Sequence, residues 1–182
     1  MFLQVGNPSK MRVDLRLYCE LLSVAVVPLK TGLPVVGHVL TTLVAQDKQD
    51  SAVPSNTAII ISFCKHCGED YAGLVPTKMK KLLGKYSLTL PASPTSLSGD
   101  KQRVVRGILS EYLASLTSSL LSHHQQLAQV ERANRRLLLT RGELPPDRAE
   151  QATRLGSEVE RLLALTEQMS EALGEEMVQL PR

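Results

Sequence analysis

From Asp100 to Arg141 the sequence contains no proline, and its only glycine is Gly107. Apolar or seam-compatible residues recur there at Val105, Leu109, Tyr112, Leu116, Leu120, His123, Leu127, Val130, Asn134 and Leu137. The steps between them are three or four residues, a heptad with one stutter near Leu116. "RGELPPDRAEQ" then stops the helix and restarts it: Gly142 suits a left-handed residue beyond a helix end, and the pair Pro145–Pro146 can begin a helix but not continue one. A second helix is predicted over about 147–178, with its stripe at Ala152, Leu155, Val159, Leu162, Thr166, Met169 and Leu173. Two helices with so short a connector are expected to lie antiparallel. At 1.5 Å per residue they would run roughly 60 Å and 45 Å.

The first half reads differently. "RVDLRLYCEL" (12–21) alternates, with Val13, Leu15, Leu17, Cys19 and Leu21 on one side, which predicts a strand with one buried face. "LPVVGHVLTTLVAQD" places Val36, Val39, Leu40, Leu43 and Val44 at helical spacing, so a helix is expected over 34–46. "DKQDSAVPSN" reads as a loop. "TAIIISF" (57–63) reads as a strand buried on both faces, and "YSLTL" (86–90) as another candidate strand. Between them "KMKKLLGK" can form a helical turn or two after Thr77. "PASPTSLSGD" is a Pro/Ser-rich connector. The fold class expected is therefore α+β. A small mixed α/β domain (1–92) is followed by a linker (93–99) and a long antiparallel, coiled-coil-like helical hairpin (100–182).

Chemistry is sparse. Cys64 and Cys67 form a Cys-x-x-Cys pair, but the predicted strand runs directly into Cys64, and no apolar helical face follows it to lower a thiol pKa. A structural zinc site needs four ligands, and no second pair stands at a defined spacing. Thiol-redox or zinc binding through Cys64 and Cys67 is the alternative function; the simpler expectation is two reduced thiols at a strand end. No Gly-rich phosphate loop, Gly-x-Ser-x-Gly elbow or His-Glu-x-x-His occurs. No cofactor is implied, and the chain is expected not to be an enzyme. His123 and His124, adjacent on a helix, point about 100° apart and cannot share a metal as an i, i+4 pair would.

Net charge is +3, and residues 101–182 hold eleven basic and eleven acidic side chains, so the excess sits in the first half. Much of it is the cluster Lys78, Lys80, Lys81 and Lys85, a solvated face or an anion contact. Aromatic residues make up only 3%, which argues against a base-stacking platform and makes direct nucleic-acid binding a weak expectation. The apolar run Leu21–Leu29 is too short to span a bilayer, and the first ten residues lack a signal-peptide pattern. Three cysteines without such a signal suit a reducing compartment, cytoplasm or nucleus.

The function expected is a non-enzymatic assembly subunit that binds partner chains, or a second copy of itself, through the hairpin. Leu113, Leu121, Leu138, Leu139, Leu163 and Leu165 add apolar surface off the seams, more than two helices can cover. The partner-binding residues expected are Leu109, Leu113, Leu116, Leu120, His123, Leu127, Asn134 and Leu138 on the first helix. On the second they are Leu155, Val159, Leu162 and Met169. Asn134 on the seam is expected to set register.

Overall fold

Asn7 starts the first helix. Its side-chain oxygen accepts from the backbone N–H groups of Ser9 and Lys10 at 3.1 and 3.2 Å, and Pro8 occupies the first turn, where a missing N–H costs nothing. The computed structural model describes residues 7–49, 54–91, 93–177 and 179–180. Among them every regular element is helical: α1 (Pro8–Ser23), α2 (Leu29–Gln49), α3 (Thr57–Ala72), α4 (Thr77–Tyr86), α5 (Gly99–Arg141) and α6 (Pro146–Leu173). Parts of several expectations lie outside the described residues: the start of the chain, 50–53 of the predicted loop, 92 at the predicted domain edge, 178 at the predicted helix end, and 181–182.

The α+β expectation is thus corrected, and each predicted strand has a physical reason for being helix or coil. In α1 the buried residues are Met11, Leu15, Cys19 and Leu22, a helical stripe. Leu15 and Cys19 belong to both the helical and the alternating pattern. Val13 and Leu17, which completed the alternation, are 60% and 53% exposed. In α3, Ile59, Ile60, Ile61, Phe63 and Cys64 are all buried, so the apolar run is covered by the neighbouring helices, while Ala58, Lys65, His66 and Glu69 stay at the surface. A continuous apolar run fits a buried helix as well as a buried strand. The helical cost of β-branched isoleucine is a few tenths of a kcal/mol per residue, whereas burying its side chain contributes about 1.5–3. Burial wins. The chain closes α3 at Gly73, at φ 59°, with the Leu74 N–H donating back to the Gly68 carbonyl. Of "YSLTL", Tyr86 ends α4, Ser87 turns left-handed at φ 50°, and residues 88–90 have no regular structure.

α2 buries the predicted face, Val36, Val39, Leu40, Leu43 and Val44, but begins earlier than expected and carries Pro34 inside it. Its first turn lies against the end of α1. A Cβ on Gly32 would collide with the Leu22 side chain and stand 2.9 Å from Val27.

α5 and α6 are joined through Gly142–Pro145 and run antiparallel. Ser110 Oγ donates to Glu175, His123 faces Glu158, and Asn134 Nδ2 donates to the Arg148 carbonyl at 3.1 Å. One core is continuous through α1, α2, α3, the first part of α5 as far as Leu116, and the last turns of α6. Farther along α5 a second cluster, Leu120, Val159 and Leu162, is packed by Leu127, Leu163, Met177 and Leu180.

A buried carboxylate joins the helices of the first core. Asp47, 6% exposed near the end of α2, accepts from the Ser55 and Asn56 N–H groups at 3.1 Å each and from the Tyr112 hydroxyl at 2.5 Å. That hydroxyl also stands 2.6 Å from Thr57 Oγ1, in the first turn of α3. Burial, and then the bond to Asp47, hold the Tyr112 phenol above its ordinary range, so it stays protonated. Asp47→Ala is expected to strand two backbone donors and one hydroxyl and to lower stability by about 3 kcal/mol. Tyr112→Phe, which removes one partner, should cost about 1 kcal/mol. Urea midpoints for both variants check the order; equal losses would count against the carboxylate as the centre of the network.

Candidate interaction surface

α4 has no fully buried residue, yet it is held in place at two points. The Lys78 N–H donates to the Glu171 carboxylate at 3.0 Å, an acid at a helix N-terminus. Lys80 Nζ donates to the Gly174 carbonyl at 2.8 Å, a cation at the end of α6. Gly174 takes φ 69° there, and a Cβ on it would collide with the Val75 carbonyl. These bonds turn one side of α4 toward α6 and leave the other outward.

The outward side is apolar. Met79, Leu82 and Tyr86 follow helical spacing and are 41%, 52% and 61% exposed. Leu88 and Leu90, in the segment that leaves the helix, are 62% and 41% exposed. Single exposed aliphatics are ordinary, but a contiguous row marks a contact surface. Lys78, Lys81 and Lys85 repeat the same spacing one residue earlier, so they form a parallel row about 100° around the helix. None of the three is in an ion pair among the described residues. Lys85 Nζ lies 5.4 Å from the centre of the Tyr86 ring. On the far side of the lysine row is a cleft of about 760 Å³. Lys65, Lys78 and Lys81 line it, opposite Glu167, Glu171 and Glu175.

The hairpin residues occupy other places. Leu109, Leu113, Leu116, Leu120, Asn134, Leu155, Val159, Leu162 and Met169 are buried within the chain itself. They hold α5 to α6 or to α1–α3. His123 and Leu127 are half-buried. His123 Nδ1 lies 2.8 Å from the Ser119 carbonyl and its Nε2 3.8 Å from Glu158. Asn134 Nδ2 ties the hairpin near its turn, while Oδ1 has no partner among the described residues. Only Leu138, with its neighbour Leu139, is open, at 47% and 81%. Of the basic cluster, Lys78, Lys81 and Lys85 stay outward and Lys80 is used to close α6. The apolar row on α4 was missed. Its signal was present in "KMKKLLGKY": two offset rows at helical spacing, Lys78/Lys81/Lys85 and Met79/Leu82/Tyr86.

Cys64 and Cys67 sit in the middle of α3 and not at a strand end, and Cys19, Cys64 and Cys67 are all free and buried. Burial, with a smaller effect of Cys67, pushes the Cys64 thiol up to about 12. Cys19 hydrogen-bonds Cys67 across the α1–α3 contact, which lowers the Cys67 thiol; the same bond, with burial, drives Cys19 far upward. Tyr71 Oη donates to the Cys19 carbonyl at 3.0 Å and closes this corner. Lys65 and His66 point to solvent. Among the described residues no group of three or more His, Cys, Asp or Glu side chains is placed to share a metal ion. Nor is any described helix long and apolar enough to cross a membrane.

No protein-family model matches the chain. Over 176 residues, 97% of its length, it is 37% identical to the regulator of nonsense transcripts 2 of mouse and, equally, to that of human. The chain spans 14% of the length of these relatives. The crystal structure of the first MIF4G domain of human nonsense mediated decay factor UPF2 covers 98% of the chain with a TM-score of 0.87 and 36% identity. The chain spans 56% of that solved chain and shares its all-helical fold.

The thiols give a pH test. The Cys64 thiol is raised from 9.0 to about 12, so the unfolded chain ionises first as pH rises. Its stabilising contribution is whole below pH 9 and is lost progressively toward pH 12. Between pH 7 and 10 the urea midpoint is expected to fall, and Cys64→Ala should reduce that drop by about 1 kcal/mol. An identical pH slope in the variant would show that Cys64 does not contribute.

Proposed function

We propose that this chain is a non-enzymatic, helical interaction module of a cytoplasmic or nuclear assembly that regulates nonsense transcripts. The likeness to regulator of nonsense transcripts 2 along nearly the whole chain supports that setting. The observation that carries the interaction role is the outward face of α4. Met79, Leu82 and Tyr86, continued by Leu88 and Leu90, lie beside a row of three lysines that pair with no acid among the described residues.

The chemistry of those two rows selects the partner: an amphipathic helix with an aliphatic stripe edged by Asp or Glu. The aliphatic stripe would cover the apolar row, as a helix laid on a hydrophobic face does. The acids would meet Lys78, Lys81 and Lys85 and set orientation and on-rate more than affinity. An RNA strand fits the surface less well, because Tyr86 is the only aromatic in the row and bases need stacking faces.

The hairpin is the second contact proposed. Its buried seams are occupied, so what it offers is the end near the turn, where Leu138 and Leu139 are exposed.

Cross-linking mass spectrometry on complexes purified with this protein as bait separates the two. The expected outcome is protein cross-links from Lys78, Lys81 or Lys85, and a loss of at least tenfold in partner retention for Leu82→Glu with Tyr86→Glu. Both changes are at exposed positions and should leave the urea midpoint unchanged. Loss with Leu138→Glu and Leu139→Glu instead would move the contact to the hairpin. Retention by both variants would remove the proposal.

A further inference from the structure

The connector from α4 to α5 carries "ASPTS", and Ser93–Pro94 is the only Ser-Pro or Thr-Pro step in the sequence. Ser93 is half-buried, while Pro94 and Thr95 are exposed in a stretch without regular structure. The turn is tied to the end of α3 through Asp70. Thr95 Oγ1 donates to the Asp70 carboxylate at 2.5 Å, Ser96 Oγ donates to it at 3.4 Å, and the Leu97 N–H donates to the Asp70 carbonyl at 2.9 Å. Leu97 itself is buried in the first core.

The proton positions in this network are settled by its donors. Thr95 gives its hydroxyl proton to Asp70, so in the 2.9 Å contact between Ser93 Oγ and Thr95 Oγ1 the proton belongs to Ser93. That single proton makes Ser93 a donor pointing toward an acid. An esterified Ser93 has lost it and carries oxygens that only accept.

We propose that Ser93 is a phosphorylation site for a proline-directed serine/threonine kinase, and that the phosphate releases the 93–97 turn from α3. The kinase supplies adenosine triphosphate as co-substrate. Ser93 Oγ forms a bond to the γ-phosphorus, the bond from that phosphorus to the bridging oxygen breaks, adenosine diphosphate leaves, and the hydroxyl proton passes to the kinase's base. The product carries about −1.5 to −2 charge at neutral pH. It would stand one hydroxyl away from the Asp70 carboxylate, with the hydrogen bond that joined them to Thr95 reversed in sense. Repulsion and a lost donor act together, and the turn lets go. Leu88 and Leu90 lie in the same connector, so the phosphate would also reshape the α4 surface; this consequence alone rests on the partner reading above.

The test treats the native full chain with a purified proline-directed kinase and adenosine triphosphate, then follows intact mass, peptide mapping and amide hydrogen exchange. One phosphate on Ser93 is expected, absent in Ser93→Ala and strongly reduced in Pro94→Ala, with exchange at the Leu97 amide at least tenfold faster. Failure of the native chain to be modified, while a peptide of residues 87–99 is modified, would overturn the site. Modification with unchanged Leu97 exchange would overturn the release. For the surface, phosphorylation is expected to cut partner retention severalfold in the wild type and not in Ser93→Ala. Unchanged retention in a chain that shows faster Leu97 exchange would overturn the link to the surface and leave the site itself standing.

Discussion

Asp47 determines where three helices meet. It is a buried carboxylate in no ion pair among the described residues, held by two backbone N–H groups and a phenol. Such a group is tolerable in a core only when its acceptor capacity is filled. The filling comes from Ser55 and Asn56, just before α3, and from Tyr112 on α5, so satisfying one side chain fixes α2, α3 and α5 relative to one another. Asn56 adds a bond from Nδ2 to the Leu43 carbonyl of α2 at 3.3 Å. An aliphatic core of leucine, isoleucine and valine specifies burial but few unique geometries. The polar node supplies the missing direction.

From there α5 carries the order outward. Val105, Leu109 and Tyr112 belong to the first core, and Leu120 to the second, so one helix is shared by two packing clusters. α6 returns along it and brings Met169, Ala172 and Leu173 back into the first core. That return places Glu171 and Gly174 where α4 can bond to them. The position of an exposed ten-residue helix thus depends, through α6 and α5, on a carboxylate that it does not touch.

What could be read from the sequence followed period, and what could not was decided by neighbours. The stripes on α5 and α6 appear as buried or half-buried positions because heptad spacing over so many turns has no strand equivalent. The helical face of α2 was legible despite its valines for the same reason. α1 was not, because Leu15 and Cys19 satisfy both periods and only exposure separates Met11 and Leu22 from Val13 and Leu17. The capping pair Asn7–Pro8 was the signal that pointed to helix. α3 was illegible in principle: "AIIISF" is apolar in any conformation, and only enclosure by α1, α2, α5 and α6 selects the helix. The hairpin's surplus leucines divide in a way no heptad states. Leu113 is buried, Leu121, Leu163 and Leu165 are half-buried, and Leu138 and Leu139 are left in the open.

The same distinction bears on α4. A helix of this length is marginal in water by itself, and here it buries no residue completely. Its attachments are one backbone bond to Glu171 and one lysine bond to Gly174, each contributing on the order of 1–3 kcal/mol. Were the fold's stability the only demand on this segment, Met79, Leu82 and Tyr86 would contribute more facing α6, since each such side chain contributes about 1.5–3 kcal/mol on full burial. Instead the residues facing α6 are polar or half-buried, and the apolar row faces out beside lysines that keep it wetted. A helix tied down by two polar bonds, with Met79, Leu82 and Tyr86 left exposed beside a row of lysines, is placed to complete its packing against another molecule.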